Sequence, residues 1–344
     1  MKELNSTEIA RLAGVSRSTV SRVVNGYANV PPETRDHVMK IINENEYYPL
    51  LSGQLLAGKR TGTLGFFWIS DASIASDTQS SSFVVHVTEG AASHGYLILT
   101  SILKNLTDED NINWVKRIFL QKRIDAGIFV GVSNDEPLLD DLASRGNIIG
   151  VFDYYRPDKN APNLISINFE TDTGSKVIDY ACGLGHRKIA VINSGLNHYS
   201  SMTRRQSFLA GMKKHNIEIR EKWMCNAGIS EESGYKACKE LLGNRGELPT
   251  IICANNDSVA FGVYSALREE GISIPDQISI TGIDGHVRAK TIVPPLTSFA
   301  FNFKSFFYSL VSRTIAAIAA KPDNPATEFL HSELVERGSC RRIE

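Results

Sequence analysis

The stretch NSTEIARLAGVSRSTVSRVVN, residues 5–25, predicts two short helices joined by a tight turn. Asn5, with a glutamate three residues later, matches a capping box at the start of the first helix. Gly14 permits the turn, and Ser16 can cap a second helix that we expect from residue 17 to about residue 24. This spacing is typical of a helix-turn-helix.

The predicted second helix has two unlike faces. Val20, Val23 and Val24 share one side, whereas arginine and hydroxyl residues share the other. Any pair of amphipathic helices can expose serines, but hydroxyl residues are poor helix formers and good phosphate donors, so this surface favours reading of a DNA major groove. We expect base contacts from Arg17, Ser18 and Arg22, and phosphate contacts from Ser16, Thr19, Ser21, Asn25 and Thr34.

Composition limits the remaining possibilities. The chain has 344 residues, enough for two or three packed units, and a net charge of −1. Its first 60 residues carry +2 and the remainder −3, so a nucleic-acid surface must be local. No signal peptide or long apolar run is visible, which predicts a cytoplasmic protein without a membrane span. The five cysteines lack CxxC or zinc spacing, which indicates reduced thiols.

From Thr63 onward, short apolar strands alternate with helical segments. The strands TLGFFWI, YLILTSI, AGIFVGV, NIIGVFD and LISINF come first, and KIAVINS, TIICAN and ISITGID follow. Helices are expected between them, among others at Val84–Ser93 and Arg204–His215. Nearly continuous apolar strands of this kind predict a parallel α/β architecture with both faces of each sheet covered.

The sequence shows no catalytic constellation. GxSxG, HExxH, P-loop and strand-linked GxGxxG motifs are absent, and the eight histidines are dispersed. We therefore expect no enzyme activity, no metal site and no cofactor.

Taken together, these motifs resemble the lactose-repressor/galactose-repressor (LacI/GalR) family of bacterial transcription regulators. The similar segments are AGVSRSTVSRVVN, TRDHVMKIINENEYYP, QLLAGKRTGTLGF, LGHRKIAVI, NNDSVAFGVYSALREEGISIPDQISITGID and PPLTS, so the resemblance covers essentially the whole chain. It implies an all-α helix-turn-helix headpiece followed by a two-lobed α/β core like that of periplasmic binding proteins, with parallel sheets in Rossmann-like lobes.

The resemblance also implies boundaries. They are a headpiece at residues 1–48, a hinge at 49–61, and a core at 62–344 whose first lobe comprises 62–164 and 294–324 and whose second lobe comprises 165–292 and 326–344. The chain would cross between the lobes near residues 162–167, 290–298 and 322–328.

The hinge is either a plain linker or a helix that forms on DNA, where Leu56, with Ala57 beside it, would enter the minor groove. Pro31 stands where the family often has a hydroxyl residue, so one capping or phosphate contact is expected to be missing.

An effector would lie between the lobes, at the C-terminal ends of the strands. The candidate ligands are Asp153, Arg204, Asn256, Asp284 and Phe303. Four of them have an alternative role: a turn cap for Asp153, a surface ion pair for Arg204 or for its neighbour Arg205, a helix cap for Asn256 and core packing for Phe303. Gly285 and Phe169 replace acidic residues that many relatives carry, so the identity of the effector does not transfer.

These observations predict a homodimeric, sugar-responsive repressor that binds a pseudo-palindromic operator and is released by its effector. The chain ends without leucine heptads, which favours a dimer over a tetramer. Two alternatives remain within the family, a nucleobase-responsive and a phosphoprotein-responsive regulator. A third is a sugar-binding protein with no role on DNA.

Overall fold

The computed structural model describes residues 4–48, 60–70, 74–156, 161, 163–195, 198–243, 246–320 and 327–344. Its contacts separate two compact units, Met1–Thr63 and Leu64–Glu344. The predicted hinge contacts Leu56 and Ala57 lie outside the described residues.

The N-terminal unit contains helices α1 (Ser6–Leu12), α2 (Arg17–Val24) and α3 (Pro32–Glu44). The predicted capping box is present: Asn5 Oδ1 accepts from the amides of Thr7 and Glu8 at 2.9 and 3.1 Å, and Glu8 accepts from the Asn5 amide at 2.8 Å. Ser16 caps α2, as expected. No side chain caps α3, because Pro31 stands at that position. The three helices enclose a small apolar core that consists of Ile9, Ala10, Ala13, Val20, Val23, Val30, Val38 and Ile42.

The second unit contains two six-stranded sheets. The first sheet has the order β11-β5-β4-β3-β1-β2. Its strands are β1 (Thr63–Ile69), β2 (Leu97–Leu103), β3 (Ala126–Val130), β4 (Ile148–Phe152), β5 (Leu164–Phe169) and β11 (Glu328–Leu330). The pairs β1–β3, β3–β4, β4–β5 and β5–β11 are parallel. Every residue of β3, β4 and β5 is buried, as expected for strands covered on both faces.

The second sheet has the order β12-β10-β9-β8-β6-β7. Its strands are β6 (Ile189–Ser194), β7 (Met224–Ala227), β8 (Ile251–Ala254), β9 (Ser279–Asp284), β10 (Thr297–Ala300) and β12 (Glu333–Val335). Only the β10–β12 pair among those recorded is antiparallel. Each sheet with its covering helices forms one lobe, called here the first and second lobe.

Eight helices are described in this unit. They are α4 (Thr78–Ser93), α5 (Glu109–Leu120), α6 (Pro137–Ser144), α7 (Thr173–Gly183), α8 (Tyr199–Lys214), α9 (Glu231–Gly243), α10 (Asp257–Glu269) and α11 (Phe303–Ala319). Helix α11 follows a strand of the second sheet but packs against α4 and β4 of the first lobe. Helices α4 and α8 begin five or six residues earlier than predicted, α4 at Thr78 rather than Val84 and α8 at Tyr199 rather than Arg204. Arg204 therefore lies in the second turn of α8.

The crossings between the lobes come later in the chain than the sequence predicted. The first follows β5, because this strand pairs with β4 from Ile149↔Leu164 onward and stays in the first sheet through Phe169. The second follows β10, which pairs with β9, so residues 297–300 belong to the second lobe. The third lies between β11 and β12, at residues 331–332. Strand pairing, which the residue pattern does not encode, fixes these positions.

No helix in the described part of the chain is long and apolar enough to cross a membrane.

Candidate functional site

Helix α2 exposes the arginine and hydroxyl face that the sequence predicted. Val20 and Val23 are 1% and 5% exposed and pack into the headpiece, while Val24 is half-buried. On the other side, the exposed residues are Ser16, Arg17, Ser18, Ser21 and Arg22. Thr19, Asn25 and Thr34 are half-buried. The helix thus has one apolar face for its own unit and one polar face open to a partner.

Several hydroxyl groups on this face bind one another. Ser16 Oγ lies 2.7 Å from Ser18 Oγ and 2.8 Å from Thr19 Oγ1, and it also accepts from the Thr19 amide at 3.1 Å. Asn25 Nδ2 donates to Ser21 Oγ at 3.3 Å. These contacts hold the side chains in defined rotamers before any partner is bound.

Arg17 has a partner that sequence reasoning missed. Its Nε donates to Ser6 Oγ at 3.0 Å, from α2 to the first residue of α1. The only available signal was the hydroxyl residue at the start of α1, which by itself indicates nothing more than a helix start.

In the second unit, Asp153 links the two lobes. It follows β4 with a φ of +61°, and its carboxylate accepts from the Ser200 amide at 2.7 Å and from Ser200 Oγ at 2.6 Å. Ser200 is in the first turn of α8 in the second lobe. Burial raises the pKa of Asp153, and the hydrogen bonds from Ser200 oppose that shift.

Arg204 is the central cation of the contact between the lobes. It is 4% exposed, and its guanidinium donates to the carbonyl of Asn255 at 2.9 Å and to Asp284 Oδ1 at 3.3 Å. The same group lies 4.6 Å from the ring centre of Phe169 and 5.8 Å from that of Phe301. It is not a surface ion pair, which was the alternative. Phe169, which replaces an acid, contributes an aromatic face to the cation.

Asp284, which bonds to Arg204, and its neighbour Asp257 both have raised pKa values. Burial raises the pKa of Asp284 to about 6, although Arg204 opposes the shift. Burial together with the charge of Asp284 raises the pKa of Asp257 to about 8. Asp257 accepts from the His286 amide at 2.6 Å and from Ser298 Oγ at 2.7 Å. The sequence did not single out Asp257, since a helix-start aspartate is common.

Asn256 caps a helix and Phe303 packs in the core, which are the alternative roles that the sequence left open for them. Asn256 Oδ1 accepts from the Val259 amide at 2.7 Å and caps α10, while its Nδ2 donates to the Ile229 carbonyl at 3.1 Å. Phe303 is 5% exposed, with its ring centre 4.8 Å from that of Phe83. A contact of either residue with an effector stays a prediction.

A second link between the lobes was missed. Asp77 precedes α4 in the first lobe, and its carboxylate lies 3.2 Å from His286 Nε2 and accepts from Ser258 Oγ at 3.2 Å in the second lobe. Burial acts to raise the pKa of Asp77, but the bonds from His286 and from the Gln79 amide outweigh it and hold the pKa below its ordinary value. The pairs Asp153–Ser200, Arg204–Asp284 and Asp77–His286 bound one region between the lobes, the cleft.

Glu170 fastens two of the crossings together. It follows β5 at the first crossing, and its carboxylate accepts from Lys176 Nζ at 2.6 Å, from the Ser332 amide at 3.0 Å and from the Ser332 hydroxyl. His331 Nδ1 lies 2.8 Å away. Burial acts to raise the pKa of Glu170, but these partners outweigh it and lower the pKa to about 2.

Comparisons with known proteins match both units. The family described as "Bacterial regulatory proteins, lacI family" matches residues 7–49, and the "Periplasmic binding protein-like domain" matches residues 178–340. The HTH-type transcriptional repressor PurR of Pasteurella multocida is 27% identical over 97% of this chain and 98% of its own.

Solved structures of transcriptional regulators have the same fold over nearly the whole chain. A lac repressor dimer bound to operator and the anti-inducer ONPF has a TM-score of 0.81 at 25% identity, covering 99% of this chain and 100% of that one. A transcriptional regulator CelR–cellobiose complex has a TM-score of 0.74 at 21% identity, covering 98% and 99%.

A helix-turn-helix headpiece joined to a two-lobed α/β core defines a DNA-binding transcriptional repressor with an effector-binding core, not an enzyme. The chain is thus similar over nearly its whole length to transcriptional regulators, and its headpiece matches the lacI family of bacterial regulatory proteins.

Proposed function

We propose that this repressor binds a pseudo-palindromic operator as a homodimer and that a small sugar-type effector, held in the cleft, releases it. Arg17, Ser18 and Arg22 contact base edges, and Ser16, Thr19, Ser21, Asn25 and Thr34 contact phosphates. The observation that carries the DNA half of this proposal is the exposed face of α2, opposite the buried Val20 and Val23. Arginine pairs with guanine O6 and N7 through two donors, which suits a major-groove reader.

The effector half rests on the polar groups that meet between the lobes. Asp153, Arg204 and Asp284 come from three different elements and converge there. Carboxylates, a guanidinium and aromatic faces such as Phe169 are the groups that bind sugar hydroxyls and the C–H face of the ring. The CelR neighbour, which shares this fold, was solved as a complex with cellobiose.

Self-association is proposed through the outer edge of the first sheet. Strand β2 ends that sheet, and its Leu97 and Ile102 are 73% and 59% exposed. Val85 on α4, which packs beside β2, is 51% exposed. An apolar sheet edge of this kind requires a cover, and a second copy related by twofold symmetry supplies one while setting two headpieces on matching half-sites.

The test is selection of binding sites from random duplexes by the full chain, followed by fluorescence anisotropy on the selected site with a sugar panel. We expect a pseudo-palindrome with half-sites about one helical turn apart, and release by one sugar. Arg204→Ala should keep operator binding and lose the response. A selected pool without twofold symmetry would contradict the DNA half. Release by a nucleobase, or an added requirement for a phosphoprotein, would replace the sugar with one of the alternatives.

A further inference from the structure

The starts of the helices beside the cleft are already occupied by the chain's own side chains. Free amides at a helix start, with the helix dipole, are the usual binding place for a phosphate or carboxylate. Asp77 Oδ1 accepts from the Gln79 amide at the start of α4, Asn256 caps α10, and Asn302 Oδ1 accepts from the Ser305 amide at the start of α11. None of these three helix starts presents its capping position to a bound anion.

The start of helix α8 is also occupied by a side chain, but this side chain comes from the opposite lobe. Its flanking His198 makes no side-chain cap. The Asp153 carboxylate takes the Ser200 amide and the Ser200 hydroxyl instead, at 2.7 and 2.6 Å. Those are the two donors that an anionic ligand group would need. Asp153 therefore stands where a ligand phosphate would otherwise lie.

Arg204 already has its counter-charge. One terminal nitrogen of the guanidinium donates to Asp284 and the other to the Asn255 carbonyl. Its buried Nε–H has no acceptor among the described residues. A neutral oxygen, such as a hydroxyl or a ring oxygen, satisfies that single donor, because Asp284 has already compensated the charge.

Two further unpaired polar atoms of the second lobe are acceptors. Asn255 and Asn193 are only 2% and 1% exposed. The Oδ1 atom of each has no hydrogen-bond partner in the part of the chain that the structure describes. Asn193 Nδ2 donates to the carbonyl of Ser201 on α8, and Asn255 borders Arg204. These oxygens need hydrogen-bond donors, which hydroxyl groups supply and an ionised phosphate or carboxylate does not.

The charge balance of the cleft is also unfavourable to an anion. Asp77, Asp153 and Asp284 lie there against the one arginine, Arg204, with His198 and His286 beside them, and the neighbouring Asp257 adds no positive charge. An added negative charge would meet this excess in a buried, weakly screened place.

From these contacts we infer that the cleft selects an uncharged polyhydroxylated effector and rejects its phosphorylated or carboxylated counterparts. The inference rests on the proposed function in one respect, that the effector binds in the cleft.

The first test uses inorganic phosphate as the probe and needs no knowledge of the effector. Thermal unfolding of the full chain is followed while phosphate is titrated against sodium chloride of equal ionic strength. The wild type should show no saturable phosphate-specific rise in Tm. Asp153→Ala frees the donors of Ser200 and should gain one, whereas Asp153→Asn keeps an acceptor there and should not. A saturable rise in the wild type that Arg204→Ala abolishes would overturn the inference.

The second test uses matched pairs on the operator complex: glucose against glucose 6-phosphate, and galactose against galacturonate. Release by a neutral member alone supports the inference, and release by an anionic member alone overturns it. If no sugar of either kind acts, the sugar assignment of the proposed function fails, while the phosphate titration still decides whether the cleft accepts an anion.

Discussion

Arg17 on the recognition helix α2 is fastened to Ser6 on α1 by a hydrogen bond from Nε to Oγ of 3.0 Å. The guanidinium has five N–H donors, and this contact uses the one nearest the stem. The two terminal nitrogens are left for a bidentate pair with guanine O6 and N7. In the proposed complex Ser6 therefore acts as a positioning residue. It restrains the long Arg17 side chain so that the two terminal nitrogens of the guanidinium face the base.

Ser6→Ala should lower discrimination at the operator base read by Arg17 by about 1 kcal/mol, because one hydrogen bond that orients the guanidinium is lost. The measurement is anisotropy on the selected operator and on duplexes changed at that base. Ser6→Thr keeps the hydroxyl and should restore discrimination. Thr7→Ala, at the next exposed position, is the matched control. An equal loss on all duplexes would instead indicate a general weakening of the headpiece.

Arg22→Ala should cost about 1–3 kcal/mol on the operator and relax base choice at one position, because a bidentate base contact is removed. Arg22 is exposed on α2, so the fold should be unaffected. Repeated site selection with the variant measures the effect. An unchanged motif would show that Arg22 does not read a base.

The headpiece was predictable almost to the residue. Helix α2 was predicted from residue 17 to about residue 24 and runs over Arg17–Val24, because its cap and its valine spacing are local features. The capping box of Asn5 and the missing cap at Pro31 are local in the same sense. Periodicity and capping residues act within a few positions of one another, so the sequence displays them directly.

The cleft was predictable only in part, because its geometry depends on contacts between distant segments. Asp153, Arg204 and Asp284 were expected there; Arg204 bonds to Asp284, and Asp153 bonds to Ser200 on the helix that carries Arg204. Their partners were not: Ser200 lies 47 positions from Asp153, and His286 lies 209 positions from Asp77.

The predicted positions of the crossings were wrong for a related reason. Strand β5 is as apolar as its neighbours and carries no mark of the sheet it joins. The partner of a strand depends on tertiary packing, which the local pattern does not contain.

Leu97→Lys should convert the dimer to a monomer and weaken operator binding steeply, since two linked headpieces bind far better than one. A charge at the exposed edge of β2 would be buried without a partner in the proposed interface. Multi-angle light scattering of the purified protein measures the mass. Ile219→Lys changes another exposed apolar residue, 47% exposed and outside β2, and should leave the dimer intact. A dimeric Leu97→Lys protein would place the interface elsewhere.

Glu170→Gln should remove part of the acid sensitivity of the core. The pKa of Glu170 is lowered to about 2 from an ordinary value of 4.5, so the unfolded chain binds a proton before the folded one does. The stability that this group contributes is present above about pH 5 and is lost as the pH falls toward 2. Denaturant unfolding at a series of pH values should show a shallower acid loss in the variant. Asp172→Asn, which changes an exposed partner of Lys176, is the control and should keep the wild-type slope.

Asp257→Asn should flatten a pH dependence of the opposite sign. The pKa of Asp257 is raised to about 8, so the folded protein keeps a proton that the unfolded chain releases near pH 4. Between these values stability falls as the pH rises, by at most about 1.4 kcal/mol per pH unit for one proton. Asparagine accepts from the His286 amide through Oδ1 and can donate to Ser298 Oγ, so it mimics the protonated acid. The variant should therefore lose most of the slope between pH 6 and 8.

Below pH 6 a residual slope should remain in that variant, because the pKa of Asp284 is itself raised to about 6. The pKa of Asp284 should be unchanged in this variant, because Asp257 is still protonated at the pH where Asp284 titrates. Denaturant unfolding of Asp257→Asn between pH 4 and 9 measures both slopes. A wild-type slope retained between pH 6 and 8 would show that Asp257 is ionised in the folded core, with His286 and Ser298 stabilising the carboxylate rather than the acid.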